Sequence, residues 1–536
     1  MNLVFDRNTL RVVSLFDGNS LKSSEEDVLK SMFPQDFNHL QLWKINQQIN
    51  KSPLHLSVSL DDDRNPETLF YKDAEIYRST EKDKEKFREE KLKAKRKLLE
   101  SKMPKRLLRS IGTDTIKMWV SSANTIPSVA KSLKDFQYFW DKEIMPVSWW
   151  GPFTDAGGYA NMNREIVFRL HNHHVLPRID ICPTAPQISQ LSQYYISKYV
   201  SFDFSRLKKY PRIWAFTPLP HPQHASKNIF FTMMETESLH PEFVRLCNDY
   251  SDEVWVPSTH NKNVFQEHGV NKPIYVMPLG IDEKIYSEED KDIGIVEDNR
   301  NFITVLGTPH TKRVNSFRFL TLFGWSYRKG TDILIKSFVE AFNDRDDVCL
   351  IIVSRHSGSP EQSHIDVIKS DIHKYANSVR ANHFPQILLY PFVIPEFQMP
   401  SIYRMGHAFI HLSRGEGFSL PQIEASACGL PVISCNNTGM SEYLRDDNSY
   451  MVTTDEKEVC SPEMHWITAY YQGQLFAKLG RPQITKAIEH MRFVLNNFDD
   501  ALQKSQILRS EVFSKYTWSH AAERVAARIR TIYRGD

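Results

Sequence analysis

Ser413-Arg-Gly-Glu-Gly-Phe-Ser-Leu-Pro-Gln-Ile-Glu-Ala-Ser-Ala-Cys-Gly-Leu-Pro431 carries two carboxylates, Glu416 and Glu424, with seven residues between them. Ahead of it, Ala408-Phe-Ile-His-Leu412 has the length and apolar character of a buried strand, and Pro431-Val-Ile-Ser434 starts another. Between the strands, Leu420 to Cys428 predicts a helix. Pro421 suits a first helical position, where its missing N–H is no loss, and Gly429 suits the left-handed stop. Arg414 to Ser419 is then a loop running from a strand end into a helix N-terminus. Free backbone N–H groups and the helix dipole favour an anion there, typically phosphate.

The two acids are placed for different work. Glu416 lies in the loop at the mouth of the sheet, and Glu424 about one turn into the helix, where a fixed acceptor pairs with two vicinal hydroxyls. An anion at the helix start, a diol near Glu424 and a polar group near Glu416 describe a nucleotide-diphosphate sugar. The plain alternative is a surface turn followed by a helix with a solvated Glu.

Working outward, the same rhythm recurs. Phe317–Phe323 is a strand, Gly324-Trp-Ser-Tyr-Arg-Lys-Gly330 a loop, and Thr331–Phe342 a helix with Leu334, Phe338 and Phe342 spaced by four. Val348-Cys-Leu-Ile-Ile-Val353 is continuously apolar, as a strand buried on both faces must be, and Ile387–Tyr390 continues the sheet. Earlier, Pro146–Trp150 predicts a strand, Gly151–Gly158 a glycine-containing loop and Tyr159–His171 a helix, with further strands at Arg212–Phe216, Asn228–Thr232, Glu253–Val256 and Ile274–Met277. Strands alternating with helices mean parallel, doubly wound sheets. Ala501–Arg534 is helical in composition.

The Glu416-to-Glu424 stretch, with Gly415, Gly417, Pro421, Ala425 and Gly429-Leu430-Pro431 in register, resembles the Glu-x7-Glu signature of retaining glycosyltransferases of the GT-B fold, glycosyltransferase family 4. Asp252–Ser258 and Met277–Asp282 also resemble this family, and the likeness covers roughly residues 144–536. It implies an α/β protein with two Rossmann-like domains facing a cleft. Residues 144–300 would form the acceptor-side domain, 301–510 the donor-nucleotide domain, and 511–536 a helix returning to the first, with Phe513 and Trp518 as anchors. Residues 1–143 are an extension in front.

The resemblance also implies roles. The first Glu, Glu416, stands near the donor sugar and the second, Glu424, at the ribose. Lys329, in a Lys-Gly pair, contacts the donor diphosphate. The family often has an Arg directly after the strand glycine, but Trp325 follows Gly324 here, which leaves Arg328 as the candidate replacement. The backbone of Gly417, Phe418, Ser419 and Leu420 meets the diphosphate, Gly157 and Gly158 let backbone approach the donor, and Thr438 and Gly439 line the cleft beside the sugar. Tyr390 and Phe392, in a loop at a strand end, are positioned for the base. Glu235 and Glu237 either face the cleft or start the next helix, since acids favour first turns.

No cofactor is expected, and no metal. Asp344-Arg-Asp346 has the Asp-x-Asp form of a diphosphate–metal motif, but it precedes the Val348–Val353 strand and reads as a turn. A net charge of +2 on 536 residues makes no case for nucleic acid from the whole chain. Residues 81–110 hold thirteen basic and six acidic side chains, a net of +7. The segment is either a solvated helix or a surface for an anionic polymer. The six cysteines make no C-x-x-C pair, which argues against a zinc site, and Cys349, Cys428 and Cys435 fall in predicted core elements as small hydrophobes, which favours a reducing compartment. With no signal-peptide layout and no apolar run of about 20 residues, a cytoplasmic protein without a transmembrane segment is expected. Two other readings stay open: a glycosyltransferase acting on nucleic-acid bases, and a non-catalytic sugar-binding scaffold.

Overall fold

The computed structural model describes residues 2–6, 12–16, 40–46 and 55–58 as backbone strands. It then describes residues 145–155, 157–182, 210–220, 225–286, 302–309, 314–355, 362–392, 394, 398–460 and 469–535. The charged segment 81–109 lies outside the described residues. The chain divides into a smaller unit, Met1–Val147 with His174–Lys209, and a larger one, Ser148–His173 with Tyr210–Asp536.

In the smaller unit, β1 (Asn2–Asp6), β2 (Val12–Phe16), β3 (Leu40–Asn46) and β4 (His55–Val58) form an antiparallel sheet in the order β2-β1-β3-β4. β4 lies within Leu54-His-Leu-Ser-Val-Ser-Leu60, whose apolar residues alternate with the period of a strand. β5 (Met145–Gly151) begins in this unit, which also holds β6 (Val175–Ile181).

The larger unit carries two parallel sheets. In the first, β5 pairs with β7 (Arg212–Trp214), then β8 (Asn228–Phe231), β9 (Glu253–Val256) and β10 (Ile274–Val276), all parallel. In the second, β11 (Ile303–Leu306), β12 (Phe317–Gly324), β13 (Val348–Arg355), β14 (Gln386–Tyr390), β15 (Ala408–His411), β16 (Val432–Ser434) and β17 (Tyr450–Met451) lie in the order β11-β14-β13-β12-β15-β16-β17. Only β11 runs antiparallel. From β12 onward the strands read 3-2-1-4-5-6, so the sheet reverses its direction of growth between β12 and β15. In open α/β sheets ligands bind at that point, beyond the carboxyl ends of the strands.

Burial explains the central strands. Val348 to Ile352 in β13 are at most 1% exposed. A strand covered on both faces cannot alternate, and its neighbour β14 is likewise buried from Gln386 to Leu389. The helix Thr331–Ala341 packs Leu334 and Phe338 inward at full burial.

The two sheets meet at their carboxyl ends. A Cβ on Gly415 would lie 1.9 Å from the Glu235 carbonyl oxygen, and one on Gly417 2.7 Å from the Met233 sulfur. Ser258 Oγ donates to the Gly417 carbonyl at 3.2 Å. So the loops after β8 and β9 face the loop after β15. The helix Trp518–Arg534 returns to the first sheet and packs on the helix Gly158–Leu170. Arg528 reaches Glu253 at 2.8 Å and lies over the Tyr275 ring. Trp518 is buried on this helix, whereas Phe513 belongs to the preceding helix Phe498–Lys515.

One element has no counterpart in the sequence reading. β18 (Lys457–Val459) and β19 (Leu475–Ala477) pair antiparallel. Tyr471 and Phe476 beside them join the buried cluster of Phe230, Met234, Phe243 and Phe265 in the first sheet's half. Among the described residues no helix is long and apolar enough to cross a membrane.

Candidate active site

The loop after β12 tightens into a single 3-10 turn, Tyr327–Lys329, and enters its helix through Gly330 at φ +67°. A side chain cannot sit there: besides the left-handed backbone, a Cβ would fall 1.7 Å from the Leu412 carbonyl oxygen. That close approach brings the loop after β12 against the loop after β15, across the reversal point of the sheet. Trp325 turns away and donates to Asp371 at 2.9 Å.

Glu416 is the centre of the resulting cluster. Its Oε1 accepts from Lys329 Nζ at 2.6 Å and lies 3.2 Å from His411 Nε2, and its Oε2 lies 3.3 Å from Arg328 Nη1. Its backbone N–H donates to Thr438 Oγ1 at 2.8 Å, and its carbonyl accepts from Gly439 N at 2.9 Å. The side chains of Glu416 and Arg328 are each 7% exposed. Burial alone would push the Glu416 carboxyl up, but Lys329 and Arg328 outweigh it and hold the group well below the usual carboxylate range. Burial lowers the Lys329 ammonium, against the pull of Glu416. It lowers His411 as well, so the imidazole is neutral.

Glu424 has the opposite surroundings. Among the described residues no cation sets its charge; Tyr403 donates its hydroxyl at 2.7 Å, and Tyr286 hydrogen-bonds it too. Burial dominates and raises its carboxyl to about 7. With seven residues between them, one acid is a fixed anion and the other is poised at neutral pH.

The helix Leu420–Ala427 starts as the sequence predicts. Ser419 is left-handed at φ +71°, and no side chain caps the helix, so its first N–H groups have no side-chain partner. Phe418 buries its ring against Tyr443 and Tyr516, leaving only its backbone to a ligand. Tyr443 pins the loop by donating to the Phe418 and Ser419 carbonyls. Gly439 is obligatory, since a Cβ would lie 2.0 Å from the Gly417 carbonyl oxygen.

The structure brings Glu416, Lys329, Arg328, Thr438 and Gly439 together, and Glu235 joins them. Its Oε1 lies 3.9 Å from Arg328, and its Oε2 accepts from Tyr471 at 2.6 Å. Neither Glu235 nor Glu237 starts a helix, because the next one begins at Pro241; Glu237 pairs with Lys457 at 2.6 Å. Gly157 and Gly158 are exposed at the start of the helix after β5 and share no hydrogen bond with the cluster among the described residues. Tyr390 ends β14 with its ring 5.5 Å from Phe392, which is 39% exposed. Asp344 and Asp346 sit ahead of β13, away from the carboxyl ends, tied to His383 and to the Asn343 N–H.

Three side chains escaped the sequence reading. His411 was read only as part of an apolar strand, though a histidine among Ala408, Phe409, Ile410 and Leu412 was itself a signal. Arg414 passed as a loop residue. It is fully buried over the Tyr327 ring, with its guanidinium bidentate to Asp332 and its Nε on Glu458 at 2.9 Å. Tyr471 arrives from the β18–β19 hairpin, and no local pattern announced it.

Residues 317–461 match the family described as Glycosyl transferases group 1. D-inositol 3-phosphate glycosyltransferase of Segniliparus rotundus is 25% identical over 220 residues, 40% of this chain and 41% of that protein. The chain spans about half the length of the first relatives it matches in sequence. In structure it is similar to sucrose-phosphate synthase of Thermosynechococcus elongatus, with a TM-score of 0.52 at 13% identity over 73% of this chain and 100% of that one. It is also similar to the N-terminal domain of trehalose-6-phosphate phosphatase of Candida albicans, with a TM-score of 0.50 at 14% identity over 73% and 97%. The likeness is one of fold: two Rossmann-like α/β sheets facing a cleft, the GT-B arrangement with an N-terminal extension.

Proposed function

We propose that this chain is a retaining glycosyltransferase that moves a sugar from a nucleotide-diphosphate sugar to an acceptor, in the cytoplasm and without a metal ion. The observation that carries the reading is the cluster of Glu416, Lys329 and Arg328 at the reversal point of the second sheet, beside an uncapped helix start. The free thiols of Cys247, Cys349, Cys428 and Cys435 agree with a reducing compartment. In the reading, residues 144–300 form the acceptor side and 301–510 the donor side, with 511–536 returning to the first.

The roles follow from the chemistry of the leaving group. As the sugar bond breaks, negative charge builds on the diphosphate, and preorganised donors aimed at it lower the barrier. Lys329 and the backbone of Gly417, Phe418, Ser419 and Leu420 supply them, so Lys329 turns from Glu416 to the phosphate when donor enters. Arg328 remains on Glu416 and the Gly415 carbonyl, and acts through that loop. Glu424 accepts from the ribose hydroxyls in exchange for its tyrosine partners. Glu416, an anion by virtue of its two cations, orients the sugar and stabilises the positive charge that develops on its ring. Thr438 and Gly439 hold Glu416 through its backbone.

A thermal-shift panel of UDP-glucose, UDP-N-acetylglucosamine, GDP-mannose and ADP-glucose tests the reading, because a ligand that binds only the folded state raises Tm. At least one should do so, and the product should keep the donor's anomeric configuration by proton NMR. No shift with any nucleotide sugar would sink the proposal, and an inverted product would sink the retaining mechanism.

A further inference from the structure

The buried histidine beneath Glu416 is in the wrong place for a packing residue. His411 is fully buried on β15, with its ring parallel to Phe409 and edge-on to Phe323, a slot that an aromatic hydrocarbon would fill at no polar cost. Its two nitrogens differ sharply. Nε2 lies 3.2 Å from Glu416 Oε1, and Nδ1 has no hydrogen-bond partner among the described residues.

A neutral imidazole has one N–H, and an ionised carboxylate can only accept. The pair is therefore a hydrogen bond only if the proton is on Nε2. Protonating Nδ1 as well would place a second N–H where nothing accepts it and set a cation near Lys329 and Arg328. Both groups raise the cost of the imidazolium. Glu416 Oε1 thus receives two donors of different kinds: the mobile ammonium of Lys329 and a ring locked between Phe323 and Phe409.

That difference matters once donor arrives. On the function proposed above, the diphosphate competes with Glu416 for Lys329. If Lys329 alone set the carboxylate's orientation, its departure would free the group to rotate as it is needed against the sugar. We propose that His411 is a positioning residue, which donates Nε2–H to Glu416 Oε1 and keeps that carboxylate aimed at the donor sugar when Lys329 moves to the diphosphate. The inference rests on that function for its consequence, but its tautomer can be read without any turnover.

Two measurements test it. Nitrogen-15 NMR of histidine-labelled protein, with His411 assigned from the spectrum lost in His411→Gln, should show a protonated Nε2 and a bare Nδ1. A protonated Nδ1 in the resting protein would overturn the proposal even if the enzyme were inactive. For turnover, hydrolysis of the nucleotide sugar selected from UDP-glucose, UDP-N-acetylglucosamine, GDP-mannose and ADP-glucose is compared across variants. His411→Phe keeps the ring's packing and loses the donor; kcat should fall about 10- to 100-fold, the scale of one hydrogen bond to a charged group, with donor KM little changed. His411→Gln, whose amide N–H reaches the Nε2 position, should recover most of that loss at a Tm no higher than that of His411→Phe. Equal kcat for wild type and His411→Phe, or equal defects in both variants, would overturn the positioning role. Wild-type protein that hydrolyses none of the four would instead overturn the function on which its consequence rests.

Discussion

Lys329 Nζ lies 2.6 Å from Glu416 Oε1, joining the loop that follows β12 to the loop that follows β15. Eighty-seven residues of chain separate the two. With Arg328 on the other carboxylate oxygen, the pair forms a nearly dry cluster of charge.

Glu416→Gln keeps shape but removes charge. On the proposed function the carboxylate acts more on the transition state than on bound donor, so kcat should fall more than KM rises, by about 10²–10³, the scale of one preorganised electrostatic group. The variant should also be less stable, since breaking a buried pair from one side costs about 3–5 kcal/mol. Adding Lys329→Met should restore part of that stability without restoring turnover. Full wild-type kcat in Glu416→Gln would remove the carboxylate from the chemistry. No recovery in the double variant would mean that Lys329 is not the charge left unpaired.

Glu424 makes a stability prediction with a definite sign. Its carboxyl is raised from 4.5 to about 7 by burial, so the folded state holds a proton that the unfolded state releases. The stabilising contribution is full below the unfolded value and is lost as pH rises through the folded one. The loss should be on the order of 2–3 kcal/mol at about 1.4 kcal/mol per unit, and Glu424→Gln should abolish it in urea titrations at pH 5 and pH 8. Glu416 works in the opposite sense, because its lowered carboxyl favours the folded state above the ordinary value of 4.5 and is protonated only as pH falls.

The same group predicts how nucleotide binding responds to pH. Ribose hydroxyls donate to a carboxylate, so binding favours the ionised Glu424 and releases a proton. UDP affinity by calorimetry should rise several-fold between pH 6 and pH 8 in wild type and be flat in Glu424→Gln. Equal pH dependence in both would remove Glu424 from the nucleotide site.

Turnover should survive a chelator. On the proposed function, Lys329 and the helix start at Ser419 do the work of a metal in neutralising the diphosphate. Restoration of chelator-treated enzyme by magnesium or manganese would overturn that assignment.

Arg414→Lys should be costly although it conserves charge. A lysine cannot make the bidentate contact to Asp332 while also meeting Glu458 and stacking on Tyr327. A loss on the order of 3 kcal/mol in urea, the lower end for disrupting a buried ion pair, should accompany a fall in activity through the displaced Lys329 loop. Wild-type stability in this variant would show the guanidinium network to be dispensable.

Local pattern was enough to place the central strands of the larger unit and the helices that flank the candidate site. An apolar run such as Val348–Val353 has no solvated face and must be a central strand, and Pro421 and Gly429 bracket a helix by backbone geometry that needs no neighbours. The same pattern put Glu416 and Lys329 at strand ends, because loops there follow from strand and helix boundaries alone. It did not determine what those charges meet. The opposed states of Glu416 and Glu424 depend on burial and on the presence or absence of cations brought from residues 328–329, and no spacing rule carries that information. His411 looked like one more core residue until the fold set its Nε2 against Glu416. Arg414 and Tyr471 acquired their roles from Asp332, Glu458 and Glu235, partners distant along the chain. Secondary structure is written in short-range sterics and periodicity, whereas charge state and orientation are set by low-dielectric contacts between loops and strands that meet only after the chain has packed.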